Sequence, residues 1–115
     1  MTDRIRILLH DIKGHCAVIT FVAHYFKTDA IEEGQLLEML SRNLAGTQLI
    51  LDELNGITLV DKRVHLQIKD DVVEVLSAVS NIQSKLFEKV PEDIQDQCSY
   101  IVLLAKVLSI IEVSE

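Results

Sequence analysis

The chain has 115 residues, a formal net charge of −7 and a hydrophobic share of 49%. That length suits one domain, and that hydrophobic share excludes a disordered chain. The acidic balance speaks against nucleic acid or an anionic membrane as partner, and no apolar run reaches the roughly 18 residues of a membrane-spanning helix.

The opening MTDRIRILLHDI lacks the long apolar segment and small-residue cleavage site of a signal peptide. The expected compartment is therefore the cytoplasm. One proline and four glycines, set among many leucines, isoleucines, glutamates and lysines, favour helices. The two cysteines, Cys16 and Cys98, fall inside apolar helical patterns and read as buried thiols. No CxxC pair or histidine cluster points to a metal, so no metal ligands are assigned.

In chain order, the first predicted helix runs from Arg4 to Lys27, capped by Thr2 or Asp3. At about 100° per residue, Ile5, Leu8, Ile12, Cys16, Ile19, Ala23 and Phe26 share one narrow stripe, which needs a partner helix. The break KTDAIEEG follows, where Asp29 and Glu32 have the spacing of a capping box. The second helix is predicted from Ala30 to Asn55, with Leu37, Leu40, Leu44, Thr47, Leu51 and Leu54 inward. Gly34 and Gly46 weaken it by about 1 kcal/mol each relative to alanine, and Asn55-Gly56 is a stop signal. The short link between the two helices predicts an antiparallel hairpin over residues 1–56.

Residues 57–69 change character. The β-branched residues and partial alternation of ITLVDKRVHLQI fit either a short β hairpin around Asp61-Lys62-Arg63 or an ordered linker. A C-terminal helical pair over 70–115 completes the same compact unit. Its first helix starts at Asp70 or Asp71 and runs to Lys89, with Val72, Val75, Leu76, Val79, Ile82 and Leu86 inward. Pro91 opens the last helix, and Glu92 and Asp93 suit its N-terminus. From Tyr100 to Val113 that helix is apolar nearly all round, so it should be covered on more than one side.

The chemistry-bearing stretch is LLHDIKGHCAVI, Leu8 to Ile19. On the helical wheel His10 points almost directly away from the apolar stripe, with Lys13 about 60° to one side, Gly14 about 40° to the other, and Ala17 and Phe21 nearly in line. An ordinary imidazole, with a pKa of about 6.5, has a free ring nitrogen at neutral pH and can attack phosphorus. Lys13 could offset phosphoryl charge. Gly14 removes a side chain where a partner must come close. Asp11 could orient the imidazole or take its proton. Ala17 and Phe21 would form a docking area below the reactive group, although a phenylalanine there also suits core or dimer packing. His15, His24 and His65 read as plain surface residues.

The string His10-Asp11-Ile12-Lys13-Gly14 resembles the phosphoacceptor motif of histidine phosphotransfer domains, His-x-Leu-Lys-Gly. It is also similar to the phosphoacceptor box of sensor histidine kinases, in which an acidic, an aliphatic and a basic residue follow the histidine. The stretch from Leu36 to Ile57 resembles the second helix of the kinase dimerisation domain, and VHLQIKDDVVEVLSAVSNI more loosely resembles the start of the kinase ATP-binding domain. Two departures matter. Gly14 stands where the kinase box often carries the Asn or Thr linked to phosphatase activity, and the chain has no Gly-rich nucleotide motif. The resemblance thus implies a phosphohistidine carrier and not an ATP-dependent autokinase.

The resemblance further implies a mainly α fold, in which the hairpin forms a four-helix bundle by dimerisation and the C-terminal helices are additional. Partners would be the receiver domain of a response regulator and a histidine kinase. No cofactor would be bound by this chain; the Mg²⁺ of the reaction would belong to the receiver. Two other readings stay open on the residues alone: a helical regulator that binds a kinase or receiver without being phosphorylated, and an oligomerisation module in which His10 is incidental.

Overall fold

A computed structural model describes residues 2–26, 28, 30–56 and 62–110. Four long helices carry the fold: α1 (Thr2–Tyr25), α2 (Glu33–Asn55), α3 (Lys62–Lys85) and α4 (Glu92–Ile110). A single 3₁₀ turn, Phe87–Lys89, separates the last two, and there is no strand among the described residues.

The α1 stripe is buried throughout: Ile5, Leu8, Ile12, Cys16, Ile19, Ala23 and Phe26 all face inward. Leu9 and Val22 join them and widen the stripe, because α1 meets two neighbours and not one. It packs against α2 and α3, while α4 packs against the other sides of the same two helices. The four helices therefore stand in a square, with α1 diagonal to α4 and α2 diagonal to α3. Every helix turns one apolar stripe to a common centre, the arrangement of a bundle.

Arg4 near the start of α1 binds Glu53 near the end of α2 through two hydrogen bonds of 2.7 Å each. Midway along, His15 meets Asn43 at 2.8 Å. In α2 the expected Leu40, Leu44, Thr47, Leu51 and Leu54 are buried. Leu37 is only half-buried, and Leu36 and Ile50 take the inward places instead. The buried Thr47 hydroxyl donates to the Asn43 carbonyl at 2.8 Å, so its burial leaves no orphan donor.

The boundaries depart from expectation at several helix ends, α1 for example running from Thr2 to Tyr25 where Arg4 to Lys27 is predicted. Helix α2 starts at Glu33, three residues later than predicted, and Glu32 at its cap makes no side-chain capping bond; Asp29 lies outside the described residues. Thr28 orders the approach instead: its hydroxyl donates to the Tyr25 carbonyl and accepts from the Ala30 N–H. Helix α2 does end at Asn55, but Gly56 has φ −85°, so no left-handed conformation is needed there.

The largest correction concerns residues 57–69. From Lys62 onward the chain is helical, neither hairpin nor linker, while 57–61 lie outside the described residues. His65, Ile68, Val72, Val75 and Val79 recur three and four apart and are all buried, so packing overrides the strand preference of the β-branched residues. Helix α3 then ends at Lys85, not Lys89. At the start of α4, Pro91 sits just outside the helix and its carbonyl accepts from the N–H groups of Ile94 and Gln95.

The C-terminal pair forms half of the square and is no addition to it. One chain supplies all four helices of the bundle. The apolar α4 is covered by α2 and α3, where Ile94, Cys98, Ile101, Ala105 and Leu108 are buried, whereas Tyr100, Leu103, Val107 and Ile110 remain exposed.

Candidate functional site

Helix α1 places the site. Because its buried stripe faces α2 and α3, the residues opposite form a ridge between those neighbours. His10, Asp11, Lys13, Gly14, Ala17 and Phe21 are all exposed along it. His10 stands at the crest, with its ring available to solvent.

Lys13 leans towards α3. Its ammonium Nζ lies 3.7 Å from Oδ1 of Asp71, a residue sequence reading treated only as a possible helix start. The two differ sharply in exposure: the Lys13 side chain is 55% exposed and that of Asp71 only 7%. Oδ2 of Asp71 is buried without a hydrogen-bond partner among the described residues. Burial pushes the Asp71 carboxyl above the usual carboxylate range; Lys13 pulls it back, while Glu74 and Asp70 add to the rise. A signal for Asp71 was present in the sequence. It occupies the inward phase of α3, three after Ile68 and four before Val75, where a carboxylate is out of place without a partner.

Gly14 has open space around it. A Cβ built there meets nothing within 4 Å. Glycine in a helix interior costs about 1 kcal/mol relative to alanine, and packing within this chain gives no reason for it. Gly46 is the contrast: a Cβ there would lie 2.5 Å from Nε2 of His15, so this glycine makes room for a side chain of the chain itself.

His15 is accordingly half-buried between α1 and α2 and is not a plain surface residue. The amide of Asn43 donates to the Met39 carbonyl at 2.8 Å, which leaves its Oδ1 facing the ring. Nδ1 of His15 must therefore carry the proton and donate to it. His65 also departs from the surface expectation: it is buried, and its Nδ1 has no hydrogen-bond partner among the described residues. His24 is exposed as expected and meets the Tyr25 ring edge-on at 5.1 Å between centroids.

The remaining expected residues are only partly brought together. Asp11 is exposed, and the residue on which its charge acts is Arg4; Glu53 is the main cause of the rise in the Arg4 pKa, and Asp11 adds to it. No contact ties Asp11 to the His10 ring among the described residues, so the structure gives Asp11 no orienting hold on the imidazole. Ala17 and Phe21 open on different sides of the ridge. Ala17 lines a groove of about 920 Å³ between α1 and α3 with Lys13, Cys16, Thr20, Glu74 and Ala78. Phe21 faces a depression beside α2 lined by Ile31, Gln35, Met39 and Arg42, and its ring rests on Tyr25 at 4.3 Å between centroids.

Cys16 and Cys98 are both buried and unpaired, as expected. Burial pushes each thiol up to about 11, so both are neutral and poor nucleophiles at physiological pH. No group of three or more metal-ligating side chains occurs among the described residues, and no helix among them is long and apolar enough to cross a membrane. Comparison with protein-family models, with curated proteins and with solved structures finds no match.

Proposed function

We propose that this protein is a histidine phosphotransferase of a two-component phosphorelay, carrying a phosphoryl group on His10 between receiver-domain aspartates. The observation that carries the reading is the pairing of the exposed His10 with the bare Gly14 one turn further on. A helical glycine without a packing reason fits a surface that a partner's backbone approaches closely.

In the forward step a ring nitrogen of His10 attacks the phosphorus of an aspartyl phosphate. The new N–P bond forms as the acyl O–P bond breaks, and the aspartate leaves as a carboxylate. Transfer to a second receiver reverses these bonds. Lys13, one turn from His10, offsets the charge on the phosphoryl oxygens. Asp11 lies one residue along on the same exposed ridge and assists the imidazole by taking its proton. Mg²⁺ belongs to the acidic pocket of the receiver, and the chain itself binds no cofactor. In this reading α1 and α2 form the antiparallel phosphoacceptor hairpin, Ala17 and Phe21 contact the receiver on either flank of the ridge, and the protein works in the cytoplasm. A homodimer, which the motif's resemblance implies, would join two bundles that each chain has already closed.

The test is incubation with receiver domains charged by acetyl phosphate. Acid-labile, base-stable label on the wild-type chain that disappears in His10→Gln supports the carrier. Binding to the charged receiver without label overturns it in favour of a docking regulator. Neither label nor binding across a set of receivers overturns it in favour of an oligomerisation module.

A further inference from the structure

We infer that Asp71 is a positioning residue for the phosphoacceptor: it holds the Lys13 ammonium beside α1 on the face that carries His10, and acts on phosphoryl chemistry only through Lys13. This deepens the carrier reading and rests on it.

The geometry is that of a buried anchor and an exposed arm. Asp71 is 5% exposed, on the side of α3 that meets α1. One carboxylate oxygen is unpartnered among the described residues and the other faces Lys13 at 3.7 Å. A carboxylate taken out of water needs a counter-charge, and Lys13 is the cation recorded against it among the described residues. Lys13 is bound to be drawn along its flexible stem towards α3, and the stem lies one turn from His10. The entropy of ordering a long side chain is thus met before any phosphoryl group arrives. The pair is also loose. A charge-assisted N–H to O⁻ contact closes to about 2.7–2.9 Å, and this one stands at 3.7 Å. A phosphoryl dianion on His10 can therefore share or capture the ammonium.

The other groups around the carboxylate do not compete for that role. Glu74 and Asp70, both on α3, repel its negative charge, and Cys16 on α1 is a neutral thiol held up to about 11 by burial, with Glu74 and Asp71 adding to the rise. When Asp71 takes a proton it loses its grip on Lys13, and the site reverts to an undirected lysine.

The test uses phosphoramidate, a small donor that needs no protein partner. The imidazole nitrogen forms its N–P bond as the donor's P–N bond breaks and ammonia leaves. Phosphohistidine at His10 is followed by residue-resolved imidazole signals in wild type, Asp71→Asn, Lys13→Met and the double variant. Asp71→Asn is expected to slow the reaction roughly fivefold, at the lower end of couplings between touching residues. Lys13→Met slows it at least as much, and Asp71→Asn then adds nothing. The ratio of wild-type to Asp71→Asn rates should also fall towards one as the pH drops and Asp71 protonates. Should Asp71→Asn lose its cooperative melt, Asp71→Ser takes its place. Equal rates in wild type and Asp71→Asn, or the same slowing by Asp71→Asn without Lys13, overturn the inference and leave the carrier reading standing. No phosphohistidine at His10 of the wild type overturns the carrier reading, and the inference falls with it.

Discussion

Two glycines in long helices have opposite meanings. Gly14 faces open space, so Gly14→Ala is expected to stabilise the protein by about 1 kcal/mol in thermal melts, the ordinary helix gain. The same change should slow transfer from a receiver domain while leaving the reaction with small phosphoramidate untouched, because only the larger donor must approach past position 14. Gly46→Ala presses a methyl group onto the His15 ring, which its bond to Asn43 holds in place. It should lower the melting temperature in the wild type. In a His15→Ala background the sign should reverse, to a gain of about 1 kcal/mol. The exposure of His10, Asp11, Lys13 and Gly14 is legible in the sequence because the pattern is local to one helix. The contact of Asp71 with Lys13 is not legible there, since it crosses from α1 to α3. His15 was misread for the same reason: Asn43 and Gly46, which make its niche, lie on α2.

Asp71 also makes stability depend on pH. Burial raises its folded pKa above the unfolded value of about 3.9. The folded chain then binds a proton more tightly than the unfolded one. The stability this contributes is fully present below the unfolded pKa and is lost as the pH rises through the folded pKa. Asp71→Asn should therefore melt at a higher temperature than wild type at pH 7, and the gap should shrink as the pH falls towards the unfolded value. A gap that widens on acidification would mean that Lys13 outweighs burial.

At the scale of elements, the apolar period carried most of the fold. Seven residues of the α1 stripe are legible because they repeat three and four apart without interruption, whereas Leu9 and Val22 become core only through the second neighbouring helix. Helix α3 was started too late because ITLV and KRVHLQI mix β-branched residues with charges, and the inward phase at this end is held by His65, a residue usually placed outside. Its helical period shows only once His65 is counted as core. A buried ring nitrogen without a hydrogen bond costs about 1–3 kcal/mol. His65→Leu, which fills similar volume without that nitrogen, is accordingly expected to raise the melting temperature while leaving the helix content by circular dichroism unchanged. Boundaries were the weakest part of the reading. The late start of α2 reflects the Thr28 turn, which sequence spacing alone does not distinguish from a capping box.

At the scale of the whole molecule, the square of helices explains how a short chain can expose a reactive group on a rigid support. The flanks of α1 are occupied by α2 and α3, so its outer ridge is held without a lid or cavity. The sequence expectation drew the bundle's second pair of helices from another copy. The contacts draw it from α3 and α4 instead, which the dubious strand signal at 57–69 had hidden. That arrangement also brings the buried carboxylate of Asp71 on α3 to 3.7 Å from the Lys13 ammonium.

Of the four histidines, the proposed relay uses His10 alone to take the phosphoryl group. Residue-resolved detection of phosphohistidine, after reaction with a phosphorylated receiver domain, tests it most directly. Label is expected on His10 alone, with His15, His24 and His65 unmodified. Label on any of those three, or none on His10 in the presence of receivers that bind the protein, would contradict it.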